Sequence, residues 1–231
     1  MTMHFFSRAM KSIAVCAHPT RAGGIFYASI GAALLLAGCA GLIDKPVQRT
    51  LYDFGPSAPA AASTAASGTL PALVLSDIEA SGALDGLAVL YRLGYADANQ
   101  LRPYSQARWS APPPQLVRQR LRELLGRERV VLNLGESAAL AREGGMQPRV
   151  LRIELEEFSQ LFDSPSASVG LVRLRATLLE STAAGEKLLS QRTVVARRPA
   201  PTADAPGGVR ALAAAVDAAA ADIAQWLQQV R

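Results

Sequence analysis

Apolar and polar residues alternate with a period of two over Leu151, Ile153 and Leu155 against Arg152, Glu154 and Glu156. They do so again over Val172, Leu174, Ala176 and Leu178 against Arg173, Arg175 and Thr177. Successive strand side chains point to opposite faces, so each segment predicts a strand with one apolar and one charged face, as in antiparallel sheets wetted on one side. Glu154 and Glu156 are placed to pair across the ladder with Arg173 and Arg175, each pair contributing a few tenths to about 1 kcal/mol. Asp163-Ser164-Pro165-Ser166 connects the two strands, and Ala184-Gly185 turns the chain into a last strand over residues 188–195. Upstream, residues 51–55 read as a short strand stopped by Pro56, and residues 72–78 as a compact apolar strand. Leu87, Val89, Tyr91 and Leu93 alternate as a further strand, and residues 129–134 are β-favouring. Residues 95–109 read as a loop followed by a short strand ending near Trp109.

Two segments change to the helical period. Val117, Leu121, Leu124 and Leu125 stand at i, i+4, i+7 and i+8, with Leu116 widening the stripe. Ser110 and the prolines at 112–114 signal the start of this helix and Gly126 its end. Its other face carries Arg118, Gln119, Arg122 and Glu123, a solvated face or else a membrane or partner site. After the breaker-rich residues 199–206, Val209, Leu212, Ala213, Val216, Ile223, Leu227 and Val230 share one face of a closing helix rich in alanine. These elements predict a single α/β domain of α+β character. Its mixed or antiparallel sheet has about five to seven strands, with two main helices packed on it.

The amino-terminal region follows a different pattern. Residues 22–43 carry no charge, and Arg8, Lys11 and Arg21 precede the apolar run at 23–38. A basic segment, an apolar core and small residues before a cleavage point mark a secretory signal. Leu36, Ala37 and Gly38 directly before Cys39 resemble the lipobox of bacterial lipoproteins. That resemblance implies cleavage before Cys39, a diacylglycerol on its thiol and acylation of the new amino terminus. An uncleaved membrane helix, which needs about 20 apolar residues, is the alternative; the Gly, Ala and Ser content of the run argues against it. Met10-Lys11 offers a second start besides Met1. Ala40 after the cysteine favours sorting to the outer membrane by resemblance to enteric rules. Residues 56–68, almost wholly Pro, Ala, Ser, Thr and Gly, have nothing to bury. The organisation expected is a signal at 1–38, a tethered segment and flexible linker at 39–71, and a folded domain at 72–231. Were residues 40–71 all flexible, they would span about 30 Å.

Composition narrows the chemistry. The net charge of +5 falls to +2 once the three basic residues of the signal are removed, leaving no footprint for nucleic acid. The two cysteines are Cys16 and Cys39 and the two histidines His4 and His18, so residues 40–231 contain neither type. The folded part therefore lacks the ligands of Cys/His zinc sites and the base of a Ser-His or Cys-His pair. Asp77 and Glu79 are two apart on a strand, a spacing more often a polar face than a catalytic pair. No enzyme, metal or cofactor is expected beyond the covalent lipid on Cys39. Tyr91, Tyr104 and Trp109 are candidate interface residues, since exposed aromatics often anchor partners; core packing is the competing expectation.

The lipobox at Cys39, Leu51-Tyr52-Asp53-Phe54-Gly55, Leu90-Tyr91-Arg92, then Tyr104, Trp109, Pro112 and the helix at 116–125 follow one another in an order that resembles the ABC-type transport auxiliary lipoprotein family. Phe54 stands where that family often has Leu, and the 56–68 linker is longer than expected for it. The resemblance implies a non-enzymatic lipoprotein working beside an ABC permease, its ATPase and an MCE-domain (mammalian cell entry) protein in lipid transport. It further implies docking or bridging of that complex at the periplasmic face of the outer membrane, the inner membrane being the less favoured location. The family also admits a homo-oligomer, which no residue pattern specifies. A lipoprotein regulator of cell-wall synthesis or envelope assembly is the alternative, favoured by the flexible tether.

Overall fold

The alternating segments at 151–155 and 172–178 extend into the two longest strands of a mixed sheet. The structure, a computed structural model, describes residues 48–56, 70–134 and 147–230. In chain order these form β1 (Thr50–Tyr52), β2 (Leu70–Leu75), β3 (Glu79–Ala80), β4 (Ala88–Leu93), α1 (Gly94–Asp97), β5 (Ala98–Trp109), α2 (Pro113–Leu125), β6 (Arg129–Leu132), β7 (Arg149–Ser164), β8 (Ala167–Thr182), β9 (Gly185–Pro199) and α3 (Ala205–Gln229). The lipobox residues Leu36 to Cys39 and the Gly144-Gly145 loop lie outside the described residues.

All nine strands join one sheet, more than the five to seven expected. β8 pairs antiparallel with β7 along its length, and β9 pairs likewise with β8. The other edge of β7 is taken in relay by three parallel partners: β2 at residues 149–151, β3 at 154–155 and β4 at 160–162. Residues 70–93 thus run beside β7 as one strand broken twice. β6 adds to β2 in parallel, β5 to β4 antiparallel, and β1 to the end of β5 in parallel.

Register fixes the two faces. Leu151, Ile153, Leu155 and Phe158 stand opposite Leu178, Ala176, Leu174 and Val172, and all are buried. The spacing from Leu155 to Phe158 breaks strict alternation. A bulge between Leu155 and Glu157 absorbs the extra residue and returns Phe158 to the apolar face. On the charged face Arg175 reaches both Glu154, at 3.8 Å, and Glu156. Glu157, opposite Arg173, pairs instead with Arg92 of β4 at 3.0 Å.

Helices α2 and α3 pack against each other and on the apolar face. The stripe of α2 is buried at Leu116, Val117, Leu121 and Leu125, and Gly126 caps its end by donating to the Arg122 carbonyl. Ser110 does not cap it: the N-cap is Pro112, and Ser110 N–H donates instead to the Tyr52 carbonyl, tying β1 to the approach of α2. α3 starts at Ala205, inside the segment expected to be loop. Asp204 caps it by accepting from Gly207 N–H at 2.8 Å, and Pro206 sits in the first turn, where its missing N–H costs nothing. β5 likewise covers most of the stretch expected to be loop. β1 pairs only with residues 107–109, so Pro103 faces an unpaired outer edge, where proline is tolerated.

α3 lies very close to the sheet. A methyl group on Gly170 of β8 would overlap the backbone of Ala211 and Leu212, and one on Gly208 would overlap the side chain of Gln160. Ala215, Ala219 and Ala220, all fully buried, continue this flat contact. Replacing Gly170 with Ala forces helix backbone away from the sheet and is expected to cost about 1–3 kcal/mol or more in urea unfolding. Gly86→Ala, with open space around it, is expected to stay within about 0.5 kcal/mol.

Candidate functional site

The segment that follows the expected lipobox, residues 50–55, is fastened into the body. β1 continues into Asp53, whose carboxylate accepts from Gly55 N–H at 2.8 Å, while Gly55 adopts φ +69°, a left-handed conformation that glycine takes without strain. This turn delivers Phe54 to Trp109, with ring centroids 5.7 Å apart and nearly perpendicular, and to Phe158 at 6.1 Å. Trp109 is 0% exposed and packs on Phe158 at 5.4 Å. Its expected candidacy for an interface therefore does not hold; it is core. Cavities of about 190 and 390 Å³ flank the turn, one toward α2 and one toward the start of α3. Asp53, Phe54, Gly55 and Ser110 line both.

Tyr91 and Tyr104 are half-buried and stacked at 4.6 Å, with Phe162 edge-on to Tyr91 at 6.0 Å. The Tyr104 hydroxyl donates to Oε1 of Gln160 at 2.8 Å, and Gln160 Nε2 donates to Ser168 Oγ at 2.8 Å. Gln160 is fully buried beneath Gly208 in the first turn of α3. Burial, then the neighbouring Tyr91 and Asp204, push the Tyr104 phenol well above its ordinary value. The Asp204 carboxyl is held low by hydrogen bonds from the Thr202 hydroxyl and Gly207 N–H. Structure thus joins two of the three aromatic candidates to the helix start, as a positioning network rather than a free aromatic patch.

Several residues that matter were not singled out in the sequence. Arg120, almost buried, bridges the helices through Asp217, with Nε at 2.6 Å and Nη2 at 3.3 Å from its two oxygens. It stands at i+3 from Val117, within the apolar stripe, which is the signal that marks it. Gln160, Ser168 and Gly170 likewise occupy core-face positions of β7 and β8 once the alternation is carried to the strand ends. The expected solvated face of α2 is partly tied down: Arg118 reaches Asp77 at 3.2 Å, and Arg118 and Arg122 both donate to Asn133 Oδ1.

No set of three or more His, Cys, Asp or Glu among the described residues is placed to hold a metal ion, and no described helix is long and apolar enough to cross a membrane. With no histidine or thiol after Cys39, residues 40–231 supply no imidazole or thiolate for a Ser-His or Cys-His pair.

A family model described as the ABC-type transport auxiliary lipoprotein component matches residues 52–224. No curated protein matches the chain. Among solved structures, a DUF330-family protein from Xanthomonas campestris is similar at 14% identity and TM-score 0.56, over 80% of this chain and 88% of that one. An uncharacterized protein is similar at 14% identity and TM-score 0.55, over 78% of this chain and 99% of that one. At these identities both similarities concern the fold.

Tyr104→Phe removes the donor to buried Gln160 and is expected to lower stability by about 1–3 kcal/mol at pH 7. Because the folded state raises the Tyr104 pKa, its contribution is complete below the unfolded phenol's value, about 10, and is lost as pH rises through the interval above it. Urea unfolding from pH 8 to 11 is expected to show a steeper alkaline loss for the wild type than for Tyr104→Phe.

Proposed function

This chain belongs to the ABC-type transport auxiliary lipoprotein component family. On that premise we propose that it is a non-enzymatic lipoprotein, held by lipid on Cys39 at the periplasmic face of the outer membrane, that docks or bridges an ABC permease, its ATPase and an MCE-domain protein. Family membership makes it a transport-associated lipoprotein. The docking role is supported chiefly by how the tether meets the body.

The described compact unit takes in the chain from Gln48 onward. β1 and Phe54 belong to it, so the reach from Cys39 to the body is set by the chain before Thr50. Thr50 lies eleven positions beyond Cys39 in the chain. As a flexible chain that stretch would span about 18 Å, against about 30 Å for a tether running to residue 71, and even fully extended it would reach only about 40 Å. A body held this close suits a component seated at one end of a transport assembly. Residue types agree: nothing after Cys39 supplies thiol or imidazole chemistry, while the sheet and helices supply broad charged surfaces.

Purification of the full lipidated chain in mild detergent is expected to bring down an MCE-domain protein and the permease, and Cys39→Ala is expected to lose membrane association. Mass spectrometry of the amino-terminal peptide should show acylated Cys39 in the outer-membrane fraction. Repeated absence of an MCE-domain partner from intact lipidated bait contradicts the docking role, and an unmodified, uncleaved amino terminus contradicts the anchor.

A further inference from the structure

A cavity of about 380 Å³ opens at the far end of α3 from the Tyr104 network, between the starts of β2, β6 and β7. Its size falls in the range of roughly 300–1,000 Å³ typical of small-ligand sites. Leu70, Ala72, Leu73, Leu178, Leu227 and Val230 form its apolar wall. Three charged residues also line it: Arg129, Arg149 and Glu180.

Arg129 is only 6% exposed; its backbone pairs with Leu70 of β2, but among the described residues its guanidinium has no hydrogen-bond or ion-pair partner. Its neighbour Glu128 is the acidic group acting on it, but that carboxylate accepts from Gln228 Nε2 at 3.1 Å. Arg149 donates to the Val230 carbonyl at 3.1 Å. Burial pulls the Arg129 pKa down, yet a guanidinium remains a cation throughout the physiological range. A largely buried cation with five donors that opens only to the cavity is suited to an anionic group entering there. Among the residues that line the cavity, two arginines face one carboxylate, Glu180. Glu128, which also acts on Arg129, lies outside the lining and is engaged by Gln228, so the cavity wall itself favours an anionic group on an otherwise apolar ligand.

We propose that this cavity binds a single-chain anionic amphiphile, its hydrocarbon tail against Leu70, Leu178 and Leu227 and its carboxylate or phosphate head on Arg129. The inference stands on the cavity alone and does not depend on the docking role.

The full lipidated chain, in non-ionic detergent, is incubated with a diazirine-bearing dodecanoate, irradiated, and its modified peptides mapped. Labelling is expected to concentrate on residues 70–73 and 227–230. Unlabelled dodecanoate or dodecyl phosphate is expected to compete at least tenfold better than dodecanol; which of the two competes more strongly identifies the head group. Arg129→Met, which keeps bulk without charge, is expected to reduce cavity labelling at least tenfold, and Ala72→Phe, which fills the space from a half-exposed position, to abolish it. Melting temperatures confirm that each variant is folded; should Arg129→Met fail to fold, Ala72→Phe and the wild-type map decide. Labelling scattered over the surface, no labelling, equal competition by dodecanol, or wild-type labelling in a folded Ala72→Phe overturns the proposal.

Discussion

The sheet depends on one strand having both edges paired. β8 covers one side of β7 throughout, and the other side is shared among β2, β3 and β4, each parallel to it and each short. Short parallel segments hold little ladder of their own, so they are secured by what they bury: Leu73 and Leu75 of β2 and Val89 of β4 are essentially inaccessible. The bulge at Glu156 and Glu157 keeps the long strand's apolar residues on one face past the middle. Without it, Phe158 would turn outward and the aromatic group that receives Phe54 would be lost.

Polar residues on the buried side set how the helices seat. Gln160 spends its amide on Tyr104 and Ser168, and Arg120 spends its guanidinium on Asp217, so the two ends of the helix layer are located by hydrogen bonds rather than by shape alone. Both groups would be expensive if left without partners. Glycines at 170 and 208 let backbone meet backbone and side chain where any Cβ would intrude. The start of α3 is therefore specific, while its alanine-lined middle is only close.

Much of this was legible in the chain. Alternation at 151–155 and 172–178 gave β7, β8 and their faces, and the stripe from Val117 to Leu125 with Gly126 gave α2 to its end. The hydrogen-bonding order was not legible, because residues 70–93 choose partners some 70 residues away by burial that no local pattern states. Pro103 and the polar pair Asn99-Gln100 argued for a loop locally, and pairing with β4 overrode them. Pro206 argued for a later helix start, although Asp204 two residues before it was already the capping signal. Trp109 is open in sequence to either an interface or a core role because aromatics serve both purposes, with core packing the favoured reading; its depth is set by Phe54 and Phe158, which are distant in sequence.

The consequence for function concerns where the tether stops. If Thr50 to Tyr52 is a true strand of the sheet and Phe54 a member of its core, the lipid proposed on Cys39 would hold the body through the chain before Thr50. Hydrogen exchange read by mass spectrometry on the full lipidated protein tests this directly. Amides of residues 50–52 and of Ser110, which donates to the Tyr52 carbonyl, should be protected together with the end of β5. Exchange of residues 50–52 at the rate of an unstructured peptide, with β5 still protected, would contradict it.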